Sequence, residues 1–345
     1  AVACVQKALK PVSMHIRTLD RKSNCLTKRA GFGPYYEIAS ERRLLDLDGI
    51  GSVPAASTRQ EVWAPRASVE SIKDSVEGDL TEAASLELEK IASYAILPLV
   101  FSQRTLGTLS AQFDDDTLFS ERRKDSLRHV AGALSNALGQ LAWTEERRLM
   151  ADDFRSLDQM MFGSAPEIAP ARQENEVLRL AAQMVFDLTC SHAILFYRYD
   201  RQNARLCYVE DSFQGTLREG IEVPPVLPAD LGLVGEAVRT RQTQVARNYQ
   251  EEHFSISRQE LLDAVPDGAQ RKAVEWIGGT DVAPVLVGDQ VEGVLVALSP
   301  IPNWLTDEDI GIVNEFAFKI GRCIEAMRRP ILKANSLTIP MSSSV

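Results

Sequence analysis

Apolar residues recur along the chain at two rhythms, and their alternation lays out the elements. From Glu176 to Leu188 they fall at Val177, Leu180, Ala181, Met184, Val185 and Leu188, the spacing of a helix with one buried face. Ala193 to Tyr199 is then β-branched and aromatic, Asp200 to Ala204 is polar, and Arg205 to Val209 turns apolar again, which predicts a hairpin. A helix around Gly235 to Thr240 follows. The next stretch, Asn248 to Gly279, is mostly polar, with short helices predicted at Gln259 to Val265 and Ala269 to Trp276. Strands at Val282 to Val287 and Val291 to Leu298 flank the tight turn Gly288-Asp289-Gln290. Thr306 is placed to cap a last helix from Asp307 to about Arg328, whose acidic first turn and basic last turn suit the helix dipole.

The first half of the chain runs in the same order. A helix is predicted at Val2 to Leu9, strands at Val12 to Leu19, Cys25 to Ala30, Ala95 to Phe101 and Thr105 to Phe113, and a helix after Ser120. The halves also match residue by residue. Leu19-Asp20-Arg21 pairs with Tyr199-Asp200-Arg201 at an offset of 180, and Thr58-Arg59-Gln60 with Thr240-Arg241-Gln242 at 182. Pro98, Gly107 and Leu109 recur as Pro284, Gly293 and Leu295 at 186, as does Phe119-Ser120-Glu121 in Leu305-Thr306-Asp307. Matches in one common order imply an internal duplication, with small loop insertions causing the drift. Hairpin strands flanked by helices imply an α+β class with antiparallel sheets.

Composition narrows the function classes. The chain has 345 residues, enough for two domains, and 38 Lys+Arg against 48 Asp+Glu leave a net charge of −10. Such an acidic balance offers no field for nucleic acid, and no apolar run is long enough to span a membrane, so a cytoplasmic protein is expected. The five cysteines, Cys4, Cys25, Cys190, Cys207 and Cys323, are scattered like free thiols and show no zinc spacing. The chain opens at Ala1 without a Met and reads as a fragment.

Several segments resemble the GAF domain family. Ala283-Pro284-Val285, Gly293-Val294-Leu295 and Leu305-Thr306-Asp307 resemble the end of such a domain, and the glycine-rich element before Thr240-Arg241-Gln242-Thr243-Gln244-Val245 resembles its middle. The likeness covers Ala1 to about Arg328, twice over. It implies a small-molecule sensing or dimerisation module, with any ligand between the sheet and the segments Asn248 to Gly279 and, in the first copy, Ala64 to Ser93. Candidate ligand-binding residues are Arg247, Asn248, Tyr249, His253, Trp276, Gly278 and Gly279, which combine a cation, hydrogen-bonding groups and aromatic faces. Trp276 could equally fill an empty core. The first copy, with Trp63 and Tyr94, is the weaker candidate.

Sharper chemistry finds little support. The acidic pair that cyclic-nucleotide-binding members carry downstream of an aromatic residue is reversed at Glu308-Asp309 and replaced by Arg123-Lys124 in the first copy. Cys190 and His192 lack further ligands for a metal. Hydrolase, phosphate-loop and metalloprotease motifs are absent, and Cys190, Cys207 and Cys323 are too irregular to argue for methionine sulfoxide reduction. The visible chain is therefore expected to be non-enzymatic, with no catalytic residues, no metal, and an unknown cofactor.

One long helix is expected over 120–165, shared with the end of the first domain and connecting the two. Leu127, Val130, Leu134, Leu138 and Leu141 form a stripe expected to pack on the first sheet. Trp143, Met150, Phe154, Leu157 and Met161 form a second, near-heptad stripe that calls for a partner, most simply its own copy in a homodimer. The expected architecture is thus two GAF-like domains, 1–142 and 170–329, joined by that connector, with a disordered tail over 330–345. The expected role is a signal-sensing regulator that binds a small molecule in its second domain and acts on an upstream or separate output protein. The alternative is a ligand-free dimerisation or protein-interaction scaffold.

Overall fold

The computed structural model describes residues 9–20, 25–38, 42–43, 52–65, 89–115, 119–162, 170–265 and 268–336. The helix expected at Val2 to Leu9 and most of Ala64 to Ser93 lie outside these residues. The chain divides into two compact units, Ala1–Glu145 and Glu146–Val345.

In the first unit the described elements are β1 (Ser13–Asp20), β2 (Cys25–Phe32), α1 (Pro34–Ile38), β3 (Arg42–Arg43), α2 (Ser52–Thr58), β4 (Val62–Ala64), β5 (Ser93–Phe101), β6 (Arg104–Phe113) and α3 (Glu121–Phe162). The strands form one antiparallel sheet in the order β3-β2-β1-β6-β5-β4. One face carries Met14, Leu97, Leu109 and Phe113, which bury against Leu127 and Ala131 of α3. Val130, Leu134 and Leu138 join that core, but Leu141 is 71% exposed, so the stripe stops one turn earlier than expected.

The second unit contains α4 (Pro170–Leu188), β7 (Ala193–Asp200), β8 (Arg205–Tyr208), β9 (Gln214–Gly215), β10 (Val226–Pro228), α5 (Gly232–Thr240), β11 (Gln244–Ala246), α6 (Glu252–Ala264), α7 (Ala269–Trp276), β12 (Gly279–Val287), β13 (Gln290–Ser299) and α8 (Asp307–Ser336). Its sheet runs β10-β8-β7-β13-β12-β11, with β9 beside β7. With β9 left out of the count, this is the same strand order as in the first. Because successive strand residues point to opposite faces, Ile194, Phe196, Ala283, Val285 and Leu295 bury against α4 and α8. Ala193, Leu195, Val282, Val294 and Val296 turn to the other face, under α5, α6 and α7.

The start of α8 is fixed by a reciprocal cap. Asp309 Oδ2 accepts from the Thr306 amide at 2.9 Å and from its hydroxyl at 2.7 Å, while Thr306 Oγ1 accepts from the Asp309 amide at 3.3 Å. Asp309 Oδ1 also accepts from the Cys190 amide at 3.0 Å, tying the helix to the chain that enters β7. At its other end α8 passes Pro330 and continues to Ser336, beyond the expected stop near Arg328. Proline removes one backbone donor there without ending the helix. The rest of the expected tail, 337–345, lies outside the described residues.

Packing of α8 on the sheet depends on Gly321, where a Cβ would stand 2.0 Å from the Leu286 carbonyl oxygen, whereas at Gly311 nothing lies within 4 Å. Gly321→Ala is expected to destabilise the chain by about 1–3 kcal/mol through overpacking, and Gly311→Ala to stabilise it by up to about 1 kcal/mol through helix propensity. Urea unfolding of the two variants checks both signs.

Candidate functional site

The face of the second sheet opposite α4 and α8 bounds a cavity of about 70 Å³. That is room for several water molecules or a small organic group. Its floor is Leu195 and Tyr197 of β7, Val282 of β12, and Val296 and Leu298 of β13; its roof is Leu233, Tyr249, Leu261, Val274 and Trp276. Two of the few polar side chains in the wall are already engaged. Tyr197 donates its hydroxyl to the Pro224 carbonyl at 3.0 Å, and Thr280 donates to the Ala297 carbonyl at 3.1 Å. Burial raises the Tyr197 hydroxyl far above the ordinary tyrosine value and the Tyr249 hydroxyl to about 12, so both stay protonated. The cavity can therefore accept an apolar body and offers little charge to hold an ion.

The structure gathers only part of the candidate set here. Tyr249 and Trp276 line the cavity. Arg247 turns away, donating to the Leu305 carbonyl at 3.0 Å and pairing with Asp307. Asn248 accepts from the Gln250 amide at 3.1 Å in a local turn. His253 is exposed and stacks on Phe254 with ring centroids 3.9 Å apart. Gly278 makes a close backbone crossing: its amide donates to the Ser299 carbonyl, its carbonyl accepts from the Tyr249 amide, and a Cβ would stand 2.2 Å from the Pro300 oxygen. Gly279 opens β12, where a Cβ would stand 3.0 Å from the Arg247 carbonyl oxygen. Leu195, Tyr197 and Val296 were not foreseen, because an apolar strand residue facing a cavity has the same pattern as one facing a filled core.

No group of three or more His, Cys, Asp or Glu suited to a metal occurs among the described residues. Cys190, Cys207 and Cys323 form no disulfide, and none lines the cavity. Of the second stripe on α3, Trp143 is 48% exposed. The side chains of Met150, Phe154, Leu157 and Met161 lie outside the described residues.

Comparison with known proteins bears on this fold. Residues 173–324 match the model of the GAF domain family. The second unit contains a GAF domain. No curated protein matches the sequence. Among solved structures, the GAF domain from an Acinetobacter phosphoenolpyruvate-protein phosphotransferase is 16% identical, with 56% of this chain and 98% of that one covered and a TM-score of 0.37. Free methionine-R-sulfoxide reductase from Neisseria meningitidis, in complex with its substrate, is 21% identical over 50% of this chain and 89% of that one, at a TM-score of 0.36. A methyl-accepting chemotaxis protein, residues 122 to 287, is 23% identical over 47% and 93%, also at 0.36.

The GAF domain is a sensor and signalling fold and mainly regulatory. The expectation of a non-enzymatic chain is nonetheless corrected, because the similar structures include reductases, which are enzymes. A second GAF domain is not matched. Among the described residues no helix is long and apolar enough to cross a membrane.

Two buried titratable groups stand in the same unit, Asp281 on the opposite face of the sheet and His192 just before β7, with its ring between those of Trp276 and Trp304. Both Asp281 carboxylate oxygens and both His192 ring nitrogens lack hydrogen-bond partners. Burial, aided by the Asp309 charge, pushes Asp281 up to about 8, and burial alone pushes His192 down to about 3. Both are neutral at pH 7. The unfolded chain ionises Asp281 near 3.8, so it binds fewer protons than the native chain between there and about pH 8. This costs stability as pH rises through that window, at about 1.4 kcal/mol per unit. His192 acts oppositely, costing stability as pH falls below 6.5. Asp281→Asn is therefore expected to raise the melting temperature increasingly from pH 5 to pH 7.5. A variant whose gain is the same at both pH values contradicts the assignment.

Proposed function

We propose that the chain is a cytoplasmic signal-sensing regulator built from two GAF-like domains, the second of which binds a small, largely apolar molecule. The observation that carries this reading is the cavity enclosed between the second sheet and α5 to α7, walled by Leu195, Val282, Val296, Tyr249 and Trp276 and poor in unengaged polar groups. The GAF match over the same residues supports it. Desolvating an apolar ligand there supplies about 25 cal/mol for each Å² removed from water. The common strand order of the two sheets, together with the ordered sequence matches between the halves, supports a duplicated domain with bounds near 1–142 and 170–329.

Binding would work through α6 and α7, which contribute Leu261, Val274 and Trp276 to the roof. A ligand favouring the arrangement in which both helices close on it shifts the population toward that arrangement. The signal would pass to a separate output protein through α3, paired with its copy in a homodimer. The exposed Leu141 and Trp143 on this helix support that pairing.

Native mass spectrometry of the purified chain is expected to show a co-purified small molecule. Val296→Trp, which fills the cavity with an indole, is expected to weaken its retention at least tenfold, since each lost 1.4 kcal/mol is a factor of ten. A chain that carries nothing and binds nothing in an apolar metabolite screen points instead to a ligand-free scaffold.

Sedimentation velocity is expected to give a dimer that Leu141→Glu with Trp143→Glu converts to a monomer. A wild-type monomer at all concentrations removes the dimeric connector.

A further inference from the structure

In the first unit, the sheet face away from α3 is polar where the matching face in the second unit is apolar. β1 turns Ser13, His15 and Arg17 to this face, alternating with Met14 and Ile16, and β6 turns Thr108, Ser110 and Gln112 to it, alternating with Leu109, Ala111 and Phe113. The register sets Ser13 opposite Gln112, His15 opposite Ser110 and Arg17 opposite Thr108. Six side chains thus form a grid of three rows, with paired Cβ atoms about 5 Å apart. At offsets of 180 and 186, the second unit holds Ala193, Leu195 and Tyr197 against Val294, Val296 and Leu298.

A polar strand face usually looks onto water, and this one is covered. All six residues are at most 3% exposed. Tyr35 of α1 lies over His15 with ring centroids 5.5 Å apart, and Ser52 of α2 accepts from Arg17 Nη1 at 2.8 Å.

Leaving Arg17 aside, four polar atoms on the grid are unmet. Arg17 Nη1 lies 2.6 Å from His15 Nε2. A guanidinium only donates, so Nε2 is the acceptor and His15 Nδ1 carries the hydrogen. His15 Nδ1, Thr108 Oγ1, Ser110 Oγ and Gln112 Oε1 have no hydrogen-bond partner. Buried polar atoms are normally paired, and here three potential donors and one acceptor share adjacent rows. A carboxylate presents two oxygens able to accept several hydrogen bonds, which matches the donors. The acceptor calls for a hydroxyl or ammonium hydrogen on the same molecule.

We infer that this face of the first unit is a second binding site, for a short hydroxy- or amino-carboxylate held by His15, Thr108 and Ser110 at its carboxylate and by Gln112 at its hydroxyl or ammonium group. The site is distinct in place and chemistry from the apolar cavity of the second unit.

Calorimetric titration of the whole chain with L-lactate, glycine and acetate tests it. L-lactate or glycine is expected to bind, with acetate at least tenfold weaker because it offers Gln112 no hydrogen. Thr108→Val and Ser110→Val, which copy Val294 and Val296, are expected to weaken that binding at least tenfold, with unfolding temperatures held or raised. Thr108→Ser keeps the hydroxyl and is expected to keep the binding, which separates a lost contact from a misfolded site. Val296→Trp is expected to leave it unchanged. Absence of binding by both L-lactate and glycine, or full binding by both valine variants, overturns the inference. So does a crystal structure grown with either compound in which only water meets the four atoms.

Discussion

Both sheets are buried on two faces at once, and that constraint governs everything else in the chain. An antiparallel strand with one wet face can carry polar residues at every second position without cost, but β1, β6, β7 and β13 have no wet face over most of their length. Each alternate residue therefore has to find either an apolar neighbour or a hydrogen-bond partner. On the side under α3, or under α4 and α8, the requirement is met by aliphatic and aromatic packing. On the far side the two units answer differently. The second lines the face with Leu195, Val282, Val294 and Val296 and leaves an apolar space, while the first lines it with His15, Arg17, Ser110 and Gln112. One strand order thus supports two chemical environments, because the sheet fixes where side chains point and leaves their polarity open.

That freedom explains which parts of the molecule were legible in its sequence. The helix Ala269–Trp276 was placed residue for residue, and the long strands were found to within a few residues, because their periodicity extends over eight or more positions. The short strands β3, β9, β10 and β11 have two or three residues each, too few for any rhythm. Tyr249 and Trp276 were recognised as candidates because aromatic residues stand out in a polar stretch. Leu195 and Val296 were passed over because a cavity is missing volume, and missing volume leaves no mark in the sequence. His15 and Ser110 were passed over for the opposite reason: an alternating polar pattern reads as a solvent face, and only the covering helices show that it is not.

The polar atoms without partners are distributed unevenly. In the first unit His15, Thr108, Ser110 and Gln112 carry such atoms on the face away from the long helix, and Ser93 carries one on the other face; in the second, Asp281 carries them on the helix side, near the Thr306–Asp309 cap. Asp281 remains un-ionised there chiefly because burial strips its carboxylate of solvation, with the nearby Asp309 carboxylate adding to the cost.

The same cap gives α8 a fixed pivot. The helix has thirty residues and is held at its first turn to the chain entering β7. At 1.5 Å per residue it is about 45 Å long, so a tilt of about 5° around the pinned end carries its far end by about 4 Å. Such a tilt shifts Ile320 and Ile324 in the core by about 2 Å, so the end near Ser336 moves by most of the rise of a helical turn when the packing under α8 rearranges. The lever needs no hinge residue, because the rigidity of the helix performs the amplification.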